Sequence, residues 1–213
     1  MVCPTCYEKT SVIEEPRCKS CGKHILDPEQ EYCYDCHRHT RYFDYGFSLW
    51  NYDSTMKKSI SDFKYRHRKE YVEFYAQEFT REFGEQIADL QPDALVPIPV
   101  HWTRYIQRGY NQAQLLAEAI GSRLEIPVID NMLIRTKKTV AQKQLDDRQR
   151  IHNLEHAFSV AREWKKCIPN LNRLLLIDDI YTTGSTINAC ARILKQLGAT
   201  EVYFGVLCIG IGY

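Results

Sequence analysis

The sequence predicts an α/β protein, a parallel sheet flanked by helices, preceded by a small cysteine-rich module. From Ala94 onward, apolar strand-like segments alternate with helix-like segments, which is the pattern of a parallel sheet with helices on both faces. Six of the nine cysteines lie within the first 36 residues, in three Cys-x-x-Cys pairs. We therefore predict a module over residues 1–40 and an α/β domain over residues 41–213.

The elements of the α/β domain follow from hydrophobic periodicity and from capping and turn residues. A continuous apolar run, Leu174 to Ile177, is typical of a central parallel strand that is buried on both faces. The full set, in order, is a strand over 43–52, a helix capped by Asp53, a longer helix over 72–87, a strand over 94–99, a loop, a helix over 111–123, a strand over 127–135, a mobile loop over 136–150, the strand over 174–177, a helix over 186–197 and a last strand over 202–209.

Composition indicates a soluble globular protein. The chain has 213 residues, with 44% hydrophobic and 26% charged residues and a net charge of +1. No apolar run approaches the roughly 18 residues of a transmembrane helix, and the N-terminus lacks the pattern of a signal peptide, so we expect a cytoplasmic protein. Because the net charge is so small, any contact with nucleic acid must depend on local basic patches. Two such clusters occur, over residues 57–69 and 135–150.

The segment that follows Ile177 predicts an anion site. Two acids, Asp178 and Asp179, end the apolar strand, and a turn of Thr182, Thr183, Gly184, Ser185 and Thr186 then opens a helix. A helix N-terminus with nearby hydroxyls favours phosphate, and carboxylates suit sugar hydroxyls or Mg²⁺. A Walker A loop is excluded because no lysine follows Gly184, and a dinucleotide loop needs three spaced glycines.

This segment resembles the phosphoribosyl pyrophosphate (PRPP) motif of type I phosphoribosyltransferases, and nearly the whole chain resembles the ComF family within that superfamily. The likeness includes the cysteine segment 16–22, Pro97-Ile98-Pro99, the run from Arg108 to Gln112, and the residues from Gln144 to Leu154. It implies a type I phosphoribosyltransferase-like fold.

The resemblance also implies roles for individual residues. Residues Thr182 to Thr186 would hold the 5-phosphate of PRPP. Asp178 and Asp179 would be the catalytic acids and face the ribose hydroxyls, directly or through Mg²⁺. Arg104 and Arg108 would face the pyrophosphate, to which arginine can make two parallel bonds, although Arg108 could also be an ordinary surface charge. Residues 136–150 would close over the site.

The cysteine pairs predict a structural Zn²⁺ site. Cys18, Cys21, Cys33 and Cys36 form two knuckles separated by 11 residues, and four thiolates bind Zn²⁺ tetrahedrally. The pair Cys3 and Cys6 lies 11 residues before Cys18, so the pairing stays open, although the glycine after Cys21 favours the last four cysteines. His24, His37 and His39 are weaker candidates.

Two functions remain open. The first is a Mg²⁺-dependent transfer of the phosphoribosyl group to a nitrogen acceptor, with release of pyrophosphate. The second, implied by the ComF resemblance, is a non-catalytic module that handles single-stranded DNA during DNA uptake beside a helicase-like partner, with PRPP as a regulator. The alternation of basic and aromatic residues over 63–69 is typical of single-strand binding, but it also fits the charged end of an amphipathic helix.

Overall fold

The computed structural model describes residues 7–8, 10, 12–136 and 157–210. The elements in order are α1 (Tyr34–Arg38), β1 (Tyr45–Asn51), α2 (Ser54–Tyr65), α3 (Tyr71–Leu90), β2 (Ala94–Pro97), α4 (Trp102–Arg108), α5 (Gln112–Leu124), β3 (Leu133–Arg135), β4 (Phe158–Val160), β5 (Arg173–Tyr181), α6 (Ser185–Gln196) and β6 (Glu201–Ile209). A short 3₁₀ helix over Ile168–Asn170 precedes β5.

The centre of the protein is a four-stranded sheet in the order β1-β6-β5-β2. Its three pairings are all parallel. Strand β5 lies between β6 and β2, and its residues from Leu174 to Ile177 are buried. The predicted α/β fold with a parallel sheet is therefore confirmed.

Side chains that alternate along β5 build two hydrophobic cores, one on each face of the sheet. Leu175 and Ile177 pack with the apolar residues of α2, α3 and α5. Leu174 and Leu176 pack with α6 and with the antiparallel pair of β3 and β4. Because successive side chains of a strand point to opposite faces, this one apolar segment anchors both layers of helices.

The cysteine-rich module packs against the edge strand β1. The backbone N–H of Ile13 donates to the carbonyl of Leu49 at 3.0 Å, and the hydroxyl of Ser48 donates to the carbonyl of Cys21 at 2.9 Å. Gly22 has a φ of +70°, and a Cβ there would lie 2.5 Å from the backbone oxygen of Gly46. Only glycine lets the turn approach β1 so closely.

The structure differs from the sequence predictions in several places, and the short elements Tyr34–Arg38, Phe158–Val160 and Ile168–Asn170 were not predicted. The segment predicted as a loop contains α4, which the pattern missed because Arg108 is its one buried residue. The strand predicted over 127–135 is not continuous: Val128 forms a single parallel bridge with Leu95, and β3 belongs to a separate two-stranded sheet. The loop predicted over 136–150 lies outside the described residues from position 137 onward.

Within the described part of the chain, no helix is long and apolar enough to cross a membrane.

The close approach of Gly22 to β1 predicts the effect of adding a methyl group. Gly22→Ala should lower the free energy of unfolding by more than Gly109→Ala. Both glycines have positive φ, but a Cβ at Gly109 meets nothing within 4 Å, so that control carries only the backbone cost of about 1–2 kcal/mol. Chemical unfolding followed by tryptophan fluorescence measures the difference. Equal losses would mean that the turn is not held against β1.

Candidate phosphate site and zinc centre

The predicted anion site lies where β5 ends and α6 begins. Thr182 is exposed, and Thr183, Ser185 and Thr186 are half-buried. Gly184 is the N-cap of α6 and no side chain caps the first turn, so the free backbone N–H groups there remain available to an anion. The loop encloses a cavity of about 20 Å³ lined by residues 178 and 180–187, which is large enough for a water-sized group.

Gly184 is essential to the shape of this loop. Its φ is +75°, and a Cβ would lie 2.1 Å from the hydroxyl oxygen of Tyr181. The ring of Tyr181 is fixed from behind because it stacks on Phe204, with centroids 5.1 Å apart and an interplanar angle of 9°. The turn therefore has both the backbone conformation and the space that only glycine allows.

The two acids at the end of β5 lie in different environments. Asp179 is buried, with 8% of its surface exposed, and its carboxylate accepts from the ammonium of Lys64 at 2.8 Å. Asp178 accepts the backbone N–H of Asp179 at 2.8 Å. The lysine comes from the last turn of α2 and therefore joins one helical layer to the end of the central strand.

Burial, followed by the neighbouring charge of Asp179, raises the pKa of Asp178 from 3.8 to about 7. Lys64 and Arg135 oppose this shift by favouring the carboxylate. A carboxyl group that titrates near neutral pH can exchange its proton for a cation or for a hydrogen bond to a hydroxyl. Asp178 is therefore the more chemically adjustable of the two acids.

Two arginines, Arg104 and Arg135, also belong to the electrostatic surroundings of the carboxylates. Burial and the nearby charge of Arg104 lower the pKa of Arg135, and Asp178 opposes this effect. The guanidinium of Arg135 also lies over the ring of Phe158, 5.2 Å from its centroid. Arg104 itself is exposed on α4. The structure thus brings Arg135 within electrostatic reach of both Arg104 and Asp178.

Arg108 lies beneath the surface at the end of α4, with 5% of its surface exposed. Its guanidinium donates to the side-chain oxygen of Gln112 at 2.9 Å and to the hydroxyl of Tyr65 at 3.0 Å. The reading of Arg108 as a solvated surface charge is therefore wrong. Within the described residues, its Nε and the Nε2 of Gln112 are buried donors that have no acceptor, which is the state expected where a ligand oxygen or water completes the bonding.

The cysteine-rich module contacts the phosphate loop directly. Arg41 donates to the carbonyl of Thr183 at 3.1 Å. Asn188 in α6 accepts from the backbone N–H of Tyr42 at 2.6 Å and donates to the carbonyl of Thr40 at 3.1 Å. A cleft of about 260 Å³ lies along this seam. The position of the loop therefore depends on residues that directly follow the last cysteine pair.

The four predicted zinc ligands come together in the structure. The sulfurs of Cys18, Cys21, Cys33 and Cys36 all lie within 4.8 Å of one another, and those of Cys21 and Cys33 are 3.6 Å apart. Four sulfurs at the usual Zn–S distance of about 2.3 Å would be roughly 3.8 Å apart, so the set fits a tetrahedral Zn²⁺. The backbone N–H of Cys33 also donates to the sulfur of Cys18 at 3.3 Å. Cys3 and Cys6 lie outside the described residues.

Three side chains at the site were not assigned a role from sequence: Lys64, Arg135 and Arg41. The helical spacing could have indicated the position of Lys64. It follows Phe63 and lies four residues after Ile60, both of which are buried. Lys64 therefore borders the buried face of α2. Arg135 and Arg41 carry no comparable signal, since their positions depend on the antiparallel hairpin and on the packing of the zinc module.

Comparisons with known proteins identify relatives of this chain. The chain is 30% identical over 208 residues to competence protein F of Haemophilus influenzae, covering 94% of this chain and 87% of that protein. The chain belongs to the ComF family of competence proteins. It is also 33% identical over 118 residues to the DNA utilization protein YhgH of Escherichia coli K12, covering 55% of this chain and 49% of that protein.

Two further comparisons concern the parts of this ComF protein. A family model of the double zinc ribbon domain matches residues 1–37, which supports structural zinc at the cysteine knuckles. A purine phosphoribosyltransferase from Pyrococcus horikoshii superposes with a TM-score of 0.37 and 11% identity, over 64% of this chain and 83% of that chain. This likeness is too weak to support the fold assignment, which depends on the strand order of the chain itself.

The raised pKa of Asp178 predicts how stability depends on pH. The folded state keeps a proton between pH 4 and about pH 7 that the unfolded state loses, so this group makes the folded state less stable as pH rises through that window. In Asp178→Asn that contribution disappears. The Tm of the variant minus that of the unaltered protein should therefore increase between pH 5 and pH 7.5 and then level off. Each kcal/mol of difference in the free energy of unfolding corresponds to about 2–4 °C.

Asp179→Asn is the matched control for this experiment. It removes the partner of a nearly buried lysine, so it should lower the Tm throughout the same pH range. Thermal unfolding by circular dichroism measures both variants. A Tm difference for Asp178→Asn that does not change with pH would contradict the assigned titration.

The zinc centre predicts a specific loss of metal. Cys33→Ser should reduce the zinc content by one ion per chain, because the serine hydroxyl replaces a thiolate ligand. Cys190→Ser removes a buried thiol far along the sequence from the knuckles and should leave the zinc content unchanged. Elemental analysis of the purified variants measures both, and full zinc retention in Cys33→Ser would assign that metal to other ligands.

Proposed function

We propose that this ComF-family protein binds PRPP with Mg²⁺ at the loop between β5 and α6 and transfers the phosphoribosyl group to a nitrogen acceptor. The observation that carries the proposal is the hydroxyl-lined turn from Thr182 to Thr186, which starts a helix directly after Asp178 and Asp179. PRPP carries a phosphate group, a ribose and a charged leaving group, and the turn and the two acids offer partners for them. The protein acts in the cytoplasm, where thiols stay reduced.

Each part of the ligand has a complementary part of the site. The 5-phosphate accepts hydrogen bonds from the hydroxyls and backbone N–H groups at the start of α6. The ribose hydroxyls donate to Asp178 and to Asp179, which is paired with Lys64. The pyrophosphate faces Arg104 and the buried donors of Arg108 and Gln112. Mg²⁺ would be held by the pyrophosphate and the oxygens of Asp178, and it would offset the charge that develops on the leaving group.

Transfer replaces one bond at the anomeric carbon with another. The lone pair of the acceptor nitrogen forms a bond to C1 while the bond from C1 to the pyrophosphate oxygen breaks and its electron pair leaves with pyrophosphate. The nitrogen then loses a proton. The positive charge that develops on the ribose ring is stabilised by the adjacent carboxylates, so the protein contributes mainly position and electrostatics.

A second candidate role is the handling of single-stranded DNA during DNA uptake, with PRPP as a regulator and a helicase-like protein as partner. Two observations favour it. The relatives are named for competence and for DNA utilization, and exposed aromatic and basic side chains lie next to the carboxylate site. The two roles are compatible, because a regulator and a substrate can use the same loop.

Binding of PRPP tests the site. Isothermal titration calorimetry with Mg²⁺ and PRPP should give saturable binding by the unaltered protein, and none by Asp179→Ala combined with Thr183→Ala, which removes a ribose contact and a phosphate contact. The zinc content of the double variant should be unchanged, which shows that the cysteine module is intact. Normal affinity in the double variant would show that PRPP does not bind at this loop.

Release of pyrophosphate then separates the two roles. It is measured from PRPP and Mg²⁺ with nucleobases, ammonia, glutamine or single-stranded DNA as the acceptor. Release with one acceptor identifies a transferase and its substrate. Binding of PRPP without release in any of these mixtures favours the regulatory role.

A further inference from the structure

The exposed aromatic side chains of α4 form an unusual surface. Trp102 is 64% exposed and Tyr105 is 50% exposed. Residues three apart on a helix have Cβ atoms about 5–6 Å apart, so these two rings are neighbours. A soluble protein seldom leaves a tryptophan and a tyrosine together in water without a use.

A third aromatic ring, that of Tyr65, lies at the other end of α4. Tyr65 ends α2 and is 57% exposed. Its ring lies beneath the guanidinium of Arg108 at 4.8 Å, and its hydroxyl accepts from the same group at 3.0 Å. Since Arg108 lies one turn after Tyr105, its contact with Tyr65 links α4 to the end of α2, and the three exposed rings belong to the two helices that this link joins.

Basic residues are concentrated in the two segments that carry these rings. Residues 57–70 contain six basic and two acidic side chains, and residues 101–110 contain two basic and no acidic ones, in a chain of net charge +1. The two acids, Asp62 and Glu70, pair with Arg66 and Arg68 at 3.3 Å. Residues 65–70 are all exposed. Positive charge is therefore concentrated in these segments, and the remaining residues bring the net charge of the chain down to +1.

We propose that the surface formed by Tyr65, Trp102, Tyr105 and the exposed basic residues Lys57, Lys58, Arg66, Arg68 and Lys69 binds single-stranded nucleic acid. The backbone phosphates would pair with the basic residues, and unpaired bases would stack on the three rings, as in other single-strand sites. A duplex hides the faces of its bases, so it offers only the phosphate contacts. The inference deepens the proposed DNA-handling role.

The position of this surface gives it a further consequence. Tyr65 directly follows Lys64, whose ammonium holds Asp179, and the helix that carries Trp102 also carries Arg104, which lies within electrostatic reach of Asp178 through Arg135. A strand on the surface therefore passes beside the mouth of the PRPP site. Occupancy of one site can change the affinity of the other.

The test is fluorescence anisotropy with a labelled 20-nucleotide oligo(dT), its duplex, and vesicles that contain anionic lipid. The unaltered protein should bind the single strand more tightly than the duplex and should not bind the vesicles. Trp102→Ala combined with Tyr105→Ala should weaken single-strand binding about 10- to 100-fold, because each stacking ring contributes strongly, while the dependence on salt stays the same.

A charge variant and a matched aromatic control complete the test. Arg66→Gln combined with Arg68→Gln should reduce the slope of log K against log salt by about 1.4, since each lost phosphate contact removes about 0.7. Tyr34→Ala is the control, because Tyr34 is a tyrosine of the zinc module that is 62% exposed, with the guanidinium of Arg38 5.1 Å from its ring centroid. It should bind as the unaltered protein does.

Three outcomes would overturn the inference: no preference for the single strand, an equal loss in Tyr34→Ala, or binding of vesicles instead of DNA. Calorimetry with PRPP on the same variants separates this inference from the proposed catalytic site. PRPP affinity should be unchanged in Trp102→Ala with Tyr105→Ala. If PRPP binds no variant while the single strand still depends on the rings, the surface stands and the PRPP proposal fails.

Discussion

The carboxylate of Asp179 pairs with the ammonium of Lys64 at 2.8 Å. The two residues are 115 positions apart, and the pair is nearly buried, so each charge depends on the other. Because Lys64 lies in the last turn of α2 and Asp179 lies near the carboxyl end of β5, this contact fixes one helical layer to the sheet at the site itself. Tyr65 directly follows Lys64, so the same contact also positions that tyrosine, and both charges of the pair act on the pKa of Asp178.

The site also depends on the mixed character of β5. Its residues from Leu174 to Ile177 are apolar and buried. Asp178 and Asp179 follow them, and the strand then leads into the hydroxyl-lined turn. In a parallel sheet the carboxyl ends of neighbouring strands share one edge, where ligands bind. The same strand therefore supplies the centre of the hydrophobic core and the polar end that the core holds in place.

Local patterns in the sequence predicted the parts of the fold that local chemistry determines. The apolar run at 174–177, the turn around Gly184 and the cysteine knuckles each determine their structure within a few residues, and each was identified. The N-cap at Asp53 was also correct, since its side chain accepts from the backbone N–H of Met56. Contacts between distant segments were the ones that sequence alone could not supply.

The missed features share this property. Helix α4 has almost no buried face, so it lacks the apolar stripe that marks a helix. Strands β3 and β4 have three residues each and are separated by more than twenty positions, which is too short and too distant for a period to be recognised. Lys64 lies at the site because α2 packs over β5, and the sequence alone did not identify Asp179 as its partner.

The seam between the zinc module and α6 couples metal to ligand. Arg41 and Asn188 join the segment after Cys36 to the phosphate loop through three hydrogen bonds. Loss of zinc, by chelation or by oxidation of the thiols, would loosen that segment and with it the carbonyl of Thr183. Since such coupling is reciprocal, an anion held in the loop would in turn strengthen the binding of zinc, so the redox state of four cysteines and the occupancy of the phosphate loop would affect each other.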